Sequence, residues 1–187
     1  MMEFIQFEKK IDKTLKETKD KAMAYLNLGN DLLSKDMDPT IPAFKSLHYF
    51  QRENDSNGMI QASVLIANHL YKLEEYSHAL TYLKTASNLL NDTVNESLKA
   101  FLYTKIGFLL FQNKKFDDAI EIFTKSVQLL EELQDFNEII KIYGTLGFIY
   151  QDLGKNGMAN EMFSQACNIA KKIGNKKEYE KYNSFIM

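Results

Sequence analysis

Few residues in this sequence have types and spacings that could support catalysis or metal binding. The three histidines, His48, His69 and His78, lack the spacing of a metal-binding motif, and the single cysteine, Cys167, lies far from them along the chain. The sequence also contains neither a phosphate-binding glycine loop nor a nucleophile motif. We therefore expect no metal site, no cofactor and no enzymatic activity.

Acidic pairs and Asn-Gly dipeptides are explained by the ends of helices. Glu74-Glu75, Asp117-Asp118 and Glu131-Glu132 are expected at helix ends or on polar faces. Asp117-Asp118 should begin a helix, where negative charge interacts favourably with the helix dipole. The dipeptides Asn57-Gly58 and Asn156-Gly157 have the composition of turns between helices. None of these residues is expected to act as a general acid or base.

The composition restricts the classes of partner. Of the 187 residues, 45% are hydrophobic and 26% are charged, and the formal net charge is -2, which gives no electrostatic reason to bind nucleic acid. One cysteine cannot form an internal disulfide. The first residues lack the pattern of a signal peptide, and no apolar run reaches the roughly 18 residues that cross a bilayer. We expect a cytoplasmic protein that does not contact a membrane.

The hydrophobic pattern predicts an all-α protein. Apolar residues recur at every third or fourth position rather than at every second one. The two prolines, Pro39 and Pro42, lie close together, so the rest of the chain is free of helix breakers.

A forty-residue internal repeat organises the predicted helices. The small residues Ala67, Gly107 and Gly147 stand forty positions apart. Each is followed at fixed distances by an alanine, a large apolar residue and another small residue, which are Ala79, Leu83 and Ala86, then Ala119, Phe123 and Ser126, then Ala159, Phe163 and Ala166. A fixed period of this length indicates stacked helical hairpins.

The small residues are expected where the two helices of a hairpin cross. Two helices approach closely only where both carry little side chain, so Gly107 should meet Ala119 and Gly147 should meet Ala159. A glycine inside a helix costs about 1 kcal/mol relative to alanine. Its occurrence twice at the same repeat position supports a requirement for close packing.

The repeat resembles the tetratricopeptide repeat family, in which an aromatic residue, Leu-Gly, Tyr, Ala, Phe and Ala follow one another at these spacings. The matching residues are Tyr103, Ile106, Gly107, Leu110, Ala119, Phe123 and Ser126, and then Tyr143, Leu146, Gly147, Tyr150, Ala159, Phe163 and Ala166. The resemblance implies a right-handed α-solenoid of antiparallel helix pairs. The usual repeat has roughly 34 residues, and longer repeats of the present kind resemble those of peptide-responsive regulators and adaptor proteins.

This resemblance divides residues 1–187 into the parts of a single domain. The first copy is degenerate, and its second helix fits the pattern through Ala43, Leu47 and Phe50 with a shift of two residues. The expected parts are a leading helix over 1–18, the degenerate repeat over 19–55, three repeats over 57–94, 95–134 and 135–174, and a terminal capping helix over 175–187.

In this family the first helix of each repeat lines the concave wall, and the resemblance identifies candidate binding residues there. Those of the third copy are apolar, and Phe101, Phe108 and Phe111 are left over after the packing positions are assigned. They either face a binding groove or are buried by the superhelix or the terminal segments. The candidate residues are Asn30, Asn68, Tyr71, Phe101, Thr104, Phe108, Phe111, Lys141, Phe148 and Gln151.

These features favour a non-catalytic scaffold that binds a protein or peptide in its concave groove. The phenylalanines would anchor the partner, while Asn30, Asn68 and Lys141 would hold it by polar contacts. Two alternatives stay open. One is a self-associating structural or regulatory subunit whose apolar strip forms a homodimer interface, and the other is a switch that responds to a peptide.

Overall fold

The computed structural model describes residues 2–90 and 95–186, and in these residues it contains α-helices and no strand. The all-α prediction is confirmed. The chain divides into two compact units, Met1–Thr93 and Val94–Met187. Across the described part of the chain, none of the helices combines the length and apolar character needed to span a membrane.

The first unit contains two helical hairpins preceded by one helix. The hairpins are the pairs α2–α3 and α4–α5, and α3 also packs on α4. The core is formed by small and large apolar residues from α2, α3 and α4, among them Ala22, Phe50 and Leu65. The five helices are α1 (Met2–Thr14), α2 (Thr18–Ser34), α3 (Thr40–Arg52), α4 (Ser56–Lys72) and α5 (Tyr76–Asn88).

The second unit contains two further hairpins and a short final helix. The pairs are α6–α7 and α8–α9, with α7 packed on α8 and α10 packed on α9. The core at the end of the unit includes Phe163, Cys167 and Tyr182. The five helices are α6 (Glu96–Gln112), α7 (Phe116–Glu132), α8 (Phe136–Asp152), α9 (Asn156–Lys172) and α10 (Lys176–Asn183).

The forty-residue period arises from two helices of 17 residues and two turns of three residues, as in α6 to α9. The middle residue of each turn has a positive φ, which lets the chain leave one helix and enter the next. These residues are Lys114 (φ 56°), Gln134 (φ 58°), Gly154 (φ 69°) and Gly174 (φ 75°). The Lys115 N–H donates to the Leu110 carbonyl at 2.9 Å, which satisfies the end of α6.

The first helix of each hairpin from α4 onward begins with a capping side chain. Asp55 accepts a hydrogen bond from the Gly58 N–H, and Asp135 accepts one from the Glu138 N–H. Asn175 caps α10 in the same manner, and Asn95 caps α6 by accepting from the Ser97 N–H, so the four capping residues recur every forty residues. The prediction that Asn57-Gly58 and Asn156-Gly157 form turns is wrong, because both dipeptides lie within the first turns of α4 and α9.

At the repeat glycines Gly107 and Gly147, the atoms nearest to an added β-carbon belong to aromatic rings. A β-carbon added at Gly107 would lie 2.6 Å from the Phe123 Cε1, and one at Gly147 would overlap the ring of Phe163. The predicted close packing at these glycines is therefore present. The nearest side chains are the rings of Phe123 and Phe163, which follow Ala119 and Ala159 by four residues. The space left by each glycine is filled by a whole ring.

The degenerate hairpin follows a different register from the predicted one. The Ser46 hydroxyl donates to the Ala22 carbonyl at 2.9 Å, and the Ser126 hydroxyl donates to the Ala100 carbonyl at 3.2 Å. Since Ser46 precedes Ser126 by two repeats of forty, α3 keeps the forty-residue register. The two bonds span 24 and 26 residues, so α3 follows α2 two residues earlier than α7 follows α6. A two-residue shift is therefore present but in the opposite direction from the predicted one, and Ala43 takes the position of Phe123.

Candidate functional site

The second unit contains a cavity of about 450 Å³ between α6, the end of α7 and the start of α8. Its floor is apolar and its edge carries charged side chains. Three of the candidate residues predicted from the sequence line it. The lining residues are Ser97, Phe101, Thr104, Lys105, Phe108, Leu130, Leu133, Asp135 and Glu138.

Two phenylalanines of α6 form the apolar side of this cavity. Phe101 is 41% exposed, and the Lys105 Nζ lies 5.5 Å from the centre of its ring. Phe108 is half-buried, and its ring meets that of Phe123 edge to face at 5.2 Å. Because Phe123 fills the space at Gly107, Phe108 has a rigid support. An apolar group entering the cavity would therefore meet preformed aromatic surface.

Thr104 contributes little polar character to the cavity. It is buried, and its Oγ1 lies 2.8 Å from the Ala100 carbonyl oxygen and 2.6 Å from the Ser126 Oγ. These hydrogen bonds join α6 to α7 and satisfy the hydroxyl. Thr104 was predicted as a binding residue, but its hydroxyl is already engaged within the hairpin.

The charged edge of the cavity comes from the start of α8. Asp135 caps this helix, and Glu138 forms an ion pair with Lys141, whose Nζ lies 2.5 Å from the Glu138 Oε1. The hydrogen bond that Lys141 donates to the Glu138 carboxylate raises the pKa of Lys141, which keeps the ammonium charged. The edge thus carries one cation, Lys105 on α6, and two carboxylates, while Lys141 lies behind Glu138 as its ion-pair partner and does not line the cavity. The edge can therefore pair with either sign of charge beside an apolar group.

Phe111 and Tyr71 occupy equivalent positions, forty residues apart, near the tip of a hairpin. The Phe111 ring lies 6.3 Å from that of Phe116, and the Tyr71 ring lies 5.5 Å from that of Tyr76. Each pair joins the end of a first helix to the start of the second one. Phe111 is half-buried and does not line the cavity, while Tyr71 is exposed; Gln151 stands at the same repeat position and is half-buried.

Phe148 is covered by the end of the chain. Its ring lies 5.2 Å from Phe163 and 5.0 Å from Phe185, edge to face in both cases. Phe185 also stacks on Phe163 at 5.4 Å. For Phe148, the alternative of burial by the terminal segment therefore describes the contacts better than an open groove does.

The two asparagines predicted to bind a peptide backbone lie in the first unit. Asn30 is exposed at the end of α2, and Asn68 is half-buried in α4. Their amides make no hydrogen bond with any side chain or backbone group of the described residues. Both therefore keep donors and acceptors for a ligand.

Two histidines and the single cysteine have partners within the described residues. His69 lies beside Asp38 and His78 beside Glu75. In residues 2–90 and 95–186, no three His, Cys, Asp or Glu side chains are grouped so that they could hold a metal ion. Cys167 is buried, its thiol donates to the Tyr179 carbonyl at 3.6 Å, and burial raises its pKa. The thiol is accordingly protonated at neutral pH.

Sequence reasoning missed the part of the cavity that α7 and α8 supply. Leu130 lies in the last turn of α7 and Leu133 directly follows that helix, while Asp135 directly precedes α8 and Glu138 lies in its first turn. The recurrence of Asp or Asn every forty residues at the helix starts could have identified Asp135. No signal in the sequence indicated that Leu133 faces the same cavity as Phe101.

Comparisons with known proteins identify the repeats. Residues 98–172 match the family model described as tetratricopeptide repeat, which confirms the predicted resemblance. No curated protein sequence matches the chain.

Solved structures of low sequence identity share the fold. Aspartyl phosphate phosphatase F from Bacillus subtilis matches with a TM-score of 0.78 and 18% identity over 91% of this chain and 45% of that one. The apo form of RapI matches with a TM-score of 0.75 and 18% identity, over 94% of this chain and 64% of that one. The nearly identical TPR-like repeats of a putative kinesin light chain from Podosopora anserina match with a TM-score of 0.73 and 13% identity, over 88% of this chain and 82% of that one. The chain thus has the predicted α-solenoid fold class, and it spans less than half of the phosphatase and less than two thirds of RapI.

Proposed function

Because residues 98–172 consist of tetratricopeptide repeats, we propose that this chain is a non-catalytic module that binds a peptide or a segment of a partner protein. The observation that carries the proposal is the cavity of about 450 Å³ beside Phe101 and Phe108. It offers aromatic surface with charged groups at its edge. Binding sites for protein segments typically combine such apolar anchor positions with a polar surround.

Each candidate residue has a defined part in this proposal. A large apolar side chain of the partner enters the cavity and contacts Phe101, Phe108 and the methyl group of Thr104. Lys105 and Lys141 pair with carboxylates that flank the anchor, and Glu138 pairs with a flanking cation. Within the first unit taken by itself, the amides of Asn30 and Asn68 offer donors and acceptors to the backbone of a bound polypeptide. Peripheral contacts come from the half-buried or exposed side chains Tyr71, Phe111 and Gln151.

The contacts of Phe148 support the proposed way of binding. Phe148 and Phe163 stand forty residues after Phe108 and Phe123, with the same edge-to-face geometry at 5.2 Å. On Phe148 this aromatic pair is covered by Phe185. An aromatic side chain from a polypeptide segment therefore already occupies one copy of this surface, which makes the other copy suited to the same class of ligand.

The name of one structural neighbour, a phosphatase that acts on aspartyl phosphate, requires a separate test. This chain covers 45% of that protein, and their identity is 18%. We expect no catalysis when the purified chain is incubated with acetyl phosphate, an acyl phosphate like aspartyl phosphate. Phosphate release above that of a heat-denatured sample would contradict the non-catalytic assignment.

A pair of matched variants tests the binding site. A partner captured from native lysate and identified by mass spectrometry is purified and titrated against the wild-type chain, Phe101→Ala and Met158→Ala. Both side chains are apolar and exposed to a similar extent, 41% and 46%, but only Phe101 lines the cavity. Loss of an anchor contact of about 2 kcal/mol weakens binding roughly 30-fold. We expect this loss for Phe101→Ala alone.

Two results would reject the proposed site. One is an affinity of Phe101→Ala equal to that of the wild type. The other is a tight dimer in sedimentation velocity that Phe101→Ala dissociates, since the cavity would then be part of a homodimer interface.

A further inference from the structure

A second cavity, of about 230 Å³, lies in the first unit, at the start of α3 and α5 and the end of α4. It is separate from the residues used in the proposed function. Its walls are mostly apolar, with two histidines among them. The lining residues are Pro39, Thr40, Ala43, Phe44, Ile66, His69, Leu70, His78 and Tyr82.

The second helices of the four hairpins are α3, α5, α7 and α9. On α3, two exposed positions beside this cavity are apolar, whereas the equivalent positions of the other three are polar. Ile41 and Phe44 are 54% and 43% exposed. In the register set by Ser46 and Ser126, Ile41 is equivalent to Thr81, Glu121 and Glu161, and Phe44 is equivalent to Lys84, Thr124 and Ser164. The solenoid does not need an apolar residue at either position, because three other second helices do without one.

Ile41 and Phe44 are three residues apart in α3, so they form a short apolar ridge on one side of the helix, against which another helix can pack. Met37, which is 48% exposed, lies in the connection before α3. The Phe44 ring meets that of Tyr82 edge to face at 6.0 Å, so the ridge leads directly into the cavity. Contiguous exposed apolar surface of this kind marks an interaction site.

Two carboxylates stand at the edge of the cavity. Asp38 Oδ1 lies 3.3 Å from the His69 Nε2, and Glu75 Oε2 lies 3.0 Å from the His78 Nδ1. Hydrogen bonds from Thr40 lower the pKa of Asp38, so its carboxyl is ionised at neutral pH. The side chain of Asp38 is 72% exposed, so its carboxylate can still form an ion pair with a cation of a partner. Among the described residues that line this cavity there is no lysine or arginine.

We propose that the face of α3 formed by Ile41 and Phe44, together with the adjoining cavity, binds an amphipathic helix of a partner protein that carries lysine or arginine beside its apolar side chains. One large apolar side chain of that helix enters the cavity at Phe44 and Tyr82. The flanking cations pair with Asp38 and Glu75. This site lies chiefly on the second helices, whereas the candidate residues of the proposed function lie on the first helices.

Two synthetic peptides test the charge preference. Each has about twelve residues with Leu, Ile and Phe at i, i+4 and i+7; one carries lysines at the remaining positions and the other carries glutamates. Binding of each dye-labelled peptide to the whole chain is followed by fluorescence anisotropy at low ionic strength. We expect the lysine peptide to bind at least about tenfold more tightly. Equal affinities, or no binding of the lysine peptide, would overturn the proposal.

A double substitution locates the site. Ile41→Thr with Phe44→Lys gives α3 the residues that α5 has at the same positions, and the circular dichroism of the chain should be unchanged because both sites are exposed. We expect its affinity for the lysine peptide to fall about tenfold or more. The matched control, Glu121→Thr with Thr124→Lys on α7, should bind as the wild type does.

The same variants distinguish other occupants. If the α3 variant binds the lysine peptide with wild-type affinity, the proposed face is wrong. If sedimentation shows a wild-type dimer that becomes a monomer in the α3 variant, the face binds a second copy of the chain and the proposal fails. Neither result bears on Phe101, so the two proposed sites are tested independently.

Discussion

The ring of Tyr182 in α10 lies against the backbone of Gly144 in α8, in the space that a β-carbon at Gly144 would occupy. Tyr182 is buried, and its ring also stacks with that of Phe163 at 6.2 Å. Gly144 is therefore needed for close contact rather than for an unusual backbone conformation. This contact holds the final helix onto the fourth hairpin.

Gly144→Ala should detach α10 and expose Cys167. A methyl group forced into a packed contact costs about 1–3 kcal/mol, and Cys167 lies under α10 with its thiol bonded to the Tyr179 carbonyl. Because Cys167 is the single cysteine, its rate of reaction with Ellman's reagent reports this opening directly. We expect the rate to increase about tenfold or more. Gly157→Ala, where no atom lies within 4 Å of the added methyl group, is the control; equal rates in both variants would contradict the prediction.

Gln134→Gly and Gly154→Ala should change stability in opposite directions. Both residues have a positive φ at the middle of a three-residue turn, 58° and 69° respectively. A residue with a β-carbon costs about 1–2 kcal/mol in this conformation. We expect Gln134→Gly to raise the free energy of unfolding by about 0.5–1 kcal/mol and Gly154→Ala to lower it by about 1 kcal/mol. Urea denaturation followed by circular dichroism measures both, and a change of the same sign would be inconsistent with the turn geometry.

Asp55→Ala should destabilise the chain, whereas Lys115→Ala should have little effect. Asp55 caps α4 through the Gly58 N–H at 2.9 Å, while Lys115, at the start of α7, makes no capping bond with its side chain. Loss of a capping carboxylate costs about 1 kcal/mol, and an uncapped surface position changes stability by about 0.5 kcal/mol or less. Urea denaturation of the two variants should separate them; equal effects would show that the cap is not energetically important.

The contribution of Tyr25 to stability should decrease at high pH. Burial raises the pKa of Tyr25 to about 12. In the unfolded chain, Tyr25 ionises near the ordinary tyrosine pKa of about 10, so it loses its proton at a lower pH than in the folded chain. A rise in pH therefore favours the unfolded chain. The contribution is fully present below about pH 10 and is lost towards pH 12. The difference in free energy of unfolding between wild type and Tyr25→Phe, measured with urea from about pH 8 to 11, should shift in favour of the variant above about pH 10. A constant difference would refute this explanation.

The periodic part of the fold was readable from the residues themselves. The register of Gly107 and Gly147, with Phe123 and Phe163 sixteen residues later, identified the hairpins correctly. This prediction is possible because a helix brings residues three or four apart onto one face. A buried face therefore gives apolar residues at that period in the sequence. The same reasoning placed Ala119 opposite Gly107 and did not name the Phe123 ring, whose atoms lie nearest to that glycine. A periodic sequence pattern predicts which face of a helix is buried. The relative translation and rotation of the two packed helices determine which side chain of the neighbouring helix contacts that face.

The register of the first hairpin and the surroundings of the candidate site depended on three-dimensional packing. Ser46 and Ser126 became recognisable as equivalent only through their bonds to carbonyls of the preceding helix. Phe108 and Phe148 are indistinguishable in the repeat pattern, yet one lines a cavity and the other is covered by Phe185. Helical periodicity, turn composition and small residues are local properties and specify the hairpins. Which aromatic surface stays open is settled by whichever distant segment packs onto it, and no local pattern encodes that contact.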